Sequence, residues 1–146
     1  MANRSLTRRE FSRTSIVSLL SALGSASAYK SAAETDSSSR RSVIRQRLPG
    51  NPERQLTLVE VVFPPGAGAA PHLHPNGVMA FVVSGSIASK VGDEPERIFH
   101  AGEAWWEPPG AVHRVSRNTS SSESAHLLAI FIAPPNASAS DLTKQL

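Results

Sequence analysis

Hydrophobic and polar residues alternate over several short stretches between Gln55 and Ile132, which is the pattern of half-buried β-strands. Turn signals separate these stretches, among them two Pro-Pro-Gly triplets and a Ser-Gly pair. No long stretch of this region carries a helical period. The pattern predicts strands at residues 55–63, 78–83, 87–91, 96–99, 104–106, 113–116 and 125–132. The predicted fold class is therefore all-β, a sandwich or a barrel.

Both ends of the chain differ from this central region. Residues 1–28 combine a basic stretch, an uncharged apolar segment and the small residues Ala26-Ser27-Ala28, which is the layout of an export signal peptide. Residues 29–42 are rich in Ser, Ala and charge and predict a flexible, disordered spacer. The barrel is expected over 43–136. Residues 137–146 are expected to form a polar tail with a short helical turn near its end.

The predicted signal contains Thr7-Arg8-Arg9-Glu10-Phe11, which resembles the twin-arginine export signature, although Ser12 stands where an apolar residue is usual. The alternatives are an ordinary secretory signal with incidental arginines or a basic amphipathic helix. The apolar segment is shorter than the roughly 20 apolar residues of a membrane span. We therefore expect a periplasmic or secreted protein with no stable membrane span after signal cleavage.

Composition and charge limit the possible partners. The chain has 146 residues, of which 40% are hydrophobic, enough for one modest core. Its formal charge is +3, but four of the fifteen basic residues and one of the twelve acidic residues precede Ala28, so eleven of each sign remain. A neutral mature chain does not predict a nucleic-acid partner. Cysteine is absent, so folding in an oxidising compartment depends on no disulfide.

Histidines follow each Pro-Pro-Gly turn. His72 and His74 are one residue apart and would share a face of a strand, while His113 follows the second turn. Two such segments around a central hairpin would bring the three imidazoles together in a barrel mouth. Neutral imidazole suits Fe, Mn, Ni, Cu or Zn. The alternative is that these histidines are only polar residues at a strand entrance.

The same segments carry a family resemblance. Gly66-x5-His72-x-His74, continuing to Gly85, and Gly102-x5-Pro108-x-Gly110-x2-His113, with Asn118 behind it, resemble the two motifs of the cupin superfamily. The resemblance covers about residues 55–134 and is closest to small single-domain cupins. It implies a double-stranded β-helix, or jelly-roll barrel, and in most members one divalent metal ion. Some cupins have lost the metal and bind sugars or small organic molecules.

One position departs from the family pattern. The family expects a Glu four residues after the second histidine, where this chain has Val78. Glu103 and Glu107 are the acids nearest the second motif and are the candidate catalytic residues. Either is expected to act as a partner of a ligand, as a general base or as a replacement ligand.

Other side chains have simpler expected places. Trp105 and Trp106 are adjacent on a predicted strand, so one should line the barrel and the other should lie outside. His100 and His126 are expected at the surface or at a strand edge. Arg117 is expected to be solvated, with an acidic substrate at the rim as the alternative.

The sequence therefore predicts an exported, metal-binding, single-domain cupin that holds a divalent transition metal through His72, His74 and His113. As an enzyme it would act on a small oxygen-rich or anionic organic molecule, as a dioxygenase, decarboxylase or isomerase, with Glu107 or Glu103 transferring protons. The alternative is a non-catalytic periplasmic protein that binds a small ligand or the metal itself. A homodimer is compatible with both. Phosphate-loop, serine-nucleophile and cysteine-nucleophile signatures are absent from the sequence.

Overall fold

The computed structural model describes residues 38–146. The predicted signal, and the spacer up to residue 37, lie outside this range. The described part of the chain is almost entirely β-structure. Its elements are β1 (Ser39–Leu48), β2 (Asn51–Phe63), β3 (Gly68–Ala69), β4 (His72–Leu73), β5 (Val78–Ser84), β6 (Ser86–Val91), β7 (Arg97–His100), β8 (Ala104–Glu107), β9 (Val112–Asn118), β10 (Ala125–Ala133), α1 (Ala139–Leu142) and β11 (Lys144–Gln145).

The strands form two antiparallel sheets. One sheet has five strands in the order β1-β2-β10-β5-β8. The other has six strands, in the order β11-β4-β9-β6-β7 with β3 also paired to β9. Apart from the pairs β1–β2 and β6–β7, neighbours in each sheet are not consecutive in sequence, as the long connections of a jelly roll require. The fold is the predicted double-stranded β-helix.

Alternating burial along the strands explains the core between the sheets. In β5 the buried side chains are Val78, Ala80 and Val82, while Met79 and Phe81 point outward. The two sheets contribute buried apolar side chains to one cluster, which hydrophobic burial stabilises by about 25 cal/mol per Å² of apolar surface. The largest fully buried members of the core are Ile87, Val78 and Val82.

Two local features hold the motif segments in place. Gly77 has a φ of 71°, and a Cβ there would lie 2.8 Å from the Trp106 ring, so the turn before β5 requires glycine. The buried side chain of Asn118 donates hydrogen bonds to the carbonyl oxygens of Phe63, Pro64 and Glu123. These bonds join the ends of β2, β9 and the loop before β10.

All seven predicted strands are confirmed, but the predicted ends of the barrel are wrong. The boundary placed between residues 42 and 43 falls inside β1, because Ser39 to Ser42 pair with β2. The C-terminal residues are not a free polar tail. The short helix α1 is present, Leu142 is buried in the core, and β11 pairs with β4.

Within residues 38–146 no helix has the length and apolar character needed to cross a membrane.

Candidate metal centre

Four buried side chains converge between the two sheets. His72 lies on β4, His74 directly follows that strand, Glu107 ends β8 and His113 lies on β9. Each residue offers one nitrogen or carboxylate oxygen, and these atoms all lie within 4.8 Å of one another. The four residues are between 2% and 7% exposed. We call this group the His/Glu cluster.

Strand register accounts for the convergence. His72 pairs directly with His113 across β4 and β9, so both imidazoles project from the same face of that sheet. His74 is two residues after His72, and the centroids of these two rings are 5.0 Å apart. The carbonyl oxygen of His74 accepts backbone hydrogen bonds from Gly77 and Gly110, which ties the two motif turns together.

Glu107 reaches the cluster from the other sheet. It pairs with Val78 across β5 and β8, and directly paired residues project from the same face. The carboxylate that the family pattern places at Val78 is therefore supplied here from the neighbouring strand. One of the roles expected for Glu107, a replacement ligand, agrees with this position.

Each imidazole is anchored through the ring nitrogen that faces away from the cluster. Nδ1 of His72 donates to the carbonyl oxygen of Ala70 at 2.7 Å, and Nδ1 of His74 donates to that of Leu142 at 2.7 Å. Because a carbonyl only accepts, these bonds leave Nε2 of both rings with a lone pair for a metal. In His113 the outer nitrogen is Nε2, which lies 2.8 Å from the Ser89 hydroxyl oxygen and leaves Nδ1 toward the cluster.

The carboxylate of Glu107 has one anchored and one available oxygen. Trp105 donates from its indole nitrogen to Oε1 at 3.0 Å. No donor among the described residues has hydrogen-bond geometry at Oε2, although His113 Nδ1 lies 3.1 Å from it and His74 Nε2 3.7 Å. A buried carboxylate oxygen without a hydrogen bond is costly in a folded protein. A cation among these atoms would remove the cost, so the cluster fits a divalent metal ion.

The protonation states also suit a metal. Burial lowers the pKa of His72 and the pKa of His74 below the usual value, which favours neutral imidazoles at pH 7. Burial alone would raise the pKa of Glu107, but contacts with His113, His74 and Trp105 outweigh it and bring that pKa below its usual value. Neutral imidazoles and an ionised carboxylate are the forms that bind metal ions.

The His/Glu cluster lies on the wall of a cavity of about 480 Å³. This volume is within the range of small-molecule sites. The remaining wall is largely apolar and includes Val61, Phe63, Leu127 and Phe131. Arg40, Ser42 and Arg45 of β1 line the same cavity.

The structure separates the two candidate acids. Glu107 is in the His/Glu cluster, whereas Glu103 is exposed and accepts a hydrogen bond from the backbone amide of His100 at 2.7 Å. Glu103 does not line the cavity. It follows the turn that closes the β7–β8 hairpin, two positions before the first inward side chain of β8.

The remaining side chains lie largely as expected. Trp105 packs against the core, and Trp106 is outside and 55% exposed. His100 is exposed and His126 is half-buried on β10. Arg117 donates to Glu96 at 2.7 Å instead of standing free in solvent.

Sequence reasoning missed two contributions to the site. The first is β1, whose two arginines line the cavity. The second is the C-terminal segment, in which the Leu142 carbonyl anchors His74 and the Thr143 hydroxyl lies 3.3 Å from the same nitrogen. Residues 39–42 read Ser-Arg-Arg-Ser, without the alternation of a half-buried strand, and the C-terminal contact gives no local signal either.

The family is established by sequence comparison. The profile of the cupin domain matches residues 59–131. This is half of the chain and includes all four members of the His/Glu cluster. The chain therefore belongs to the cupin family. No curated protein sequence matches it significantly.

Solved structures with the same fold are similar over most of the described range. One is an uncharacterised conserved protein with a double-stranded β-helix domain from Klebsiella pneumoniae, with 25% identity, 69% of this chain and 80% of that chain covered, and a TM-score of 0.54. Another is a cupin-like protein from Thermotoga maritima, with 26% identity, 66% and 69% coverage, and a TM-score of 0.52. A third is a variant of the oxalate decarboxylase from B. subtilis, with 26% identity and a TM-score of 0.52, covering 62% of this chain but 24% of that chain.

Proposed function

We propose that this cupin is a metal-dependent enzyme that acts on a small oxygen-rich or anionic organic molecule. The observation that carries the proposal is the His/Glu cluster, which combines three anchored imidazoles with an available carboxylate oxygen on the wall of a cavity. A divalent transition metal would supply Lewis acidity there and, if it is redox-active, electron transfer. Cleavage by dioxygen, decarboxylation and isomerisation are the reaction types that we propose.

This chain's own residues would bind the metal ion and surround the substrate. His72, His74, His113 and Glu107 would hold the ion, and their outer hydrogen bonds fix each ring and the carboxylate before it binds. The apolar cavity wall would exclude bulk water from the substrate. The oxalate decarboxylase among the similar structures is named for a small anionic substrate, which supports the proposed substrate class.

A non-catalytic binding protein is the second candidate, and a specific observation favours it. If Glu107 is a metal ligand, it is not a free general base, and Glu103 lies outside the cavity. The described cavity wall then offers no carboxylate or imidazole beyond the His/Glu cluster. An enzyme on this site would have to rely on the metal, on metal-bound water or on the substrate for proton transfer.

Metal analysis tests the metal binding that both candidate functions share. Purified protein should hold close to one equivalent of Fe, Mn, Ni, Cu or Zn by elemental analysis, and the His72→Ala variant should lose it. The matched control is His100→Ala, because His100 is exposed and lies outside the cluster. Equal and negligible metal in the wild type and in His72→Ala would overturn the proposal.

Turnover separates the enzyme from the binding protein. Each metal-loaded form would be incubated with a panel of carboxylic acids, hydroxy acids and sugars. Oxygen uptake, carbon dioxide release and proton NMR report the three reaction types. Conversion that is lost in His72→Ala supports the enzyme, whereas binding without conversion across the panel supports the second candidate.

We also propose export through the twin-arginine route, on the basis of the N-terminal sequence. In cell fractionation the full chain should appear in the periplasm or medium in a shortened form. Changing Arg8 and Arg9 together to Lys should retain it in the cytoplasm, while Arg13→Lys should not. Export of the double variant at the wild-type rate would contradict the twin-arginine route and leave an ordinary secretory signal.

A further inference from the structure

We propose that Arg40 and Arg45 bind a carboxylate of the substrate, so that the ligand of this cupin is a small dicarboxylic acid. The inference deepens the proposed function and rests on it. One acidic group of the ligand would reach the metal centre, and the second would meet the arginines of β1. Both arginines line the cavity that contains the His/Glu cluster.

The register of β1 places both arginines, which are exposed, on the cavity side of the strand. Arg40 pairs with Val61, and Ser42 pairs with Val59, and both partners line the cavity. In a regular strand Ile44 would be the next inward residue. A register shift between Ser42 and Ile44 leaves one extra residue in β1, so Arg45 pairs with Thr57 and faces inward instead.

The bulge therefore selects arginine over isoleucine for the inner face. Ile44 pairs with Leu58 and is 50% exposed on the outer face. Because the side-chain period of a strand is two residues, a single extra residue exchanges the faces of everything that follows. The result is that two cationic side chains and a serine hydroxyl face one cavity from one strand.

Charge on the cavity wall favours an anionic ligand. The lining of the described chain contains two arginines and one carboxylate, that of Glu107. A bound divalent cation would add further positive charge. This lining therefore suits a ligand with negative charge.

The outer face of β1 provides a contrast within the same strand. Arg41 donates two hydrogen bonds to Glu60, at 2.7 and 3.1 Å. No acidic side chain among the described residues forms an ion pair with Arg45. Its guanidinium can therefore offer the paired N–H groups that match a carboxylate.

Glu107 and the two arginines of β1 lie on opposite edge strands of one sheet. In the five-stranded sheet β1 and β8 are the edge strands, and Glu107 lies on β8. A ligand that contacts both must therefore span the cavity between them. A monocarboxylate has one acidic group for one of these regions, whereas a dicarboxylate has one group for each.

Calorimetric titration with malonate, succinate and glutarate tests the proposal. Metal-free and zinc-loaded wild-type protein would each be titrated, with the uncharged succinamide for comparison. At least one dicarboxylate should bind, and succinamide should bind much more weakly. Arg40→Gln and Arg45→Gln should each weaken dicarboxylate binding by about tenfold to a hundredfold, since each removes a charge-assisted hydrogen bond. The matched control Arg41→Gln should bind like the wild type.

Several results would overturn the proposal. These are equal binding by the wild type and by the double variant of Arg40 and Arg45, equal binding of succinamide and succinate, or no binding of any of the three acids at millimolar concentration. Zinc content would be measured for every variant and should not change. A wild type that holds none of Fe, Mn, Ni, Cu or Zn would refute the proposed metal-dependent function, while titration of the metal-free protein still decides the role of the arginines.

Discussion

The inner and outer faces of the five-stranded sheet carry opposite chemistry along the same strands. On β8, Glu107 points inward and is 2% exposed, whereas Trp106 points outward and is 55% exposed. The outer face has an apolar row across all five strands, formed by Ile44, Leu58, Ile130, Met79 and Trp106 in register. The inner face combines an apolar core with a buried carboxylate and two arginines.

On both faces some side chains lie in an unfavourable environment: a carboxylate is buried on the inner face, and apolar side chains are exposed to water on the outer face. Burial of an ionised carboxylate costs free energy unless it is paired and hydrogen-bonded. The protein accepts that cost at Glu107 and anchors only one of its two oxygens. On the outer face the apolar side chains stay in contact with water, which costs less because they have no unsatisfied polar atoms. The stronger evidence for a function therefore lies on the inner face.

The largest expected effect follows removal of the inner carboxylate. Glu107→Val should lower metal affinity by more than roughly 100-fold. Loss of a residue that only hydrogen-bonds to a metal ligand costs up to about that factor, and this variant removes a ligand itself. The measurement is calorimetric titration with zinc. A variant that binds zinc as tightly as the wild type would contradict a ligand role for Glu107.

Restoring the carboxylate on the neighbouring strand sharpens this prediction. Val78 and Glu107 are direct partners, and paired residues have Cβ atoms about 5 Å apart. Adding Val78→Glu to Glu107→Val should therefore recover most of the lost affinity. The control is Ala80→Glu in the same background, which introduces an acid two residues further along β5 and should not restore binding.

Substitution of two adjacent leucines on β10 shows how much each face contributes to the free energy of unfolding. Leu127 is 5% exposed on the inner face, and Leu128 is half-buried on the outer face. Leu127→Ala should lower the free energy of unfolding by about 2–5 kcal/mol, the range for a buried leucine. Leu128→Ala should cost clearly less, because it removes less buried surface. Urea denaturation measures both, and equal losses would contradict the assignment of the faces.

The C-terminal segment is expected to affect metal affinity through one ligand, His74. Removing residues 139–146 deletes the Leu142 carbonyl that accepts from His74 and the strand that pairs with β4. Zinc affinity should fall by about 10–100-fold, which is the typical effect of losing a group that hydrogen-bonds to a metal ligand. The variant Thr143→Val keeps the Leu142 carbonyl and should retain most of the affinity. Unchanged zinc binding in the folded truncated protein would show that His74 is positioned without this segment.

The sequence predicted those parts of the site that depend on local spacing. His72, His74 and His113 follow from their positions after two recurrent turns, and the strands of the barrel follow from alternation. The position of Glu107 follows from the register between β5 and β8, which are separated by a hairpin and several turns. Residue spacing alone does not fix such a register.

The ends of the barrel were mispredicted for two physical reasons. In β1 the bulge at Val43 interrupts the two-residue period, and the many arginines resemble those of a solvated linker. At the C-terminus the strand β11 has only two residues. It pairs with β4, so that Gln145 lies opposite His72, which is far from it in sequence. A contact so distant in sequence leaves no periodic pattern in the segment itself.

The smallest effect on folding is expected on the outer face. Met79→Gln changes a side chain that is 43% exposed in the middle of the apolar row, so the free energy of unfolding should change by no more than about 0.5 kcal/mol. Zinc affinity should be unchanged, because the side chain points away from the His/Glu cluster. A homodimer is compatible with both candidate functions and gives the same variant a second readout by analytical ultracentrifugation. If two copies associate through the apolar row, Met79→Gln should weaken the dimer, whereas a wild type that stays monomeric at all concentrations would exclude the homodimer and leave this row in water.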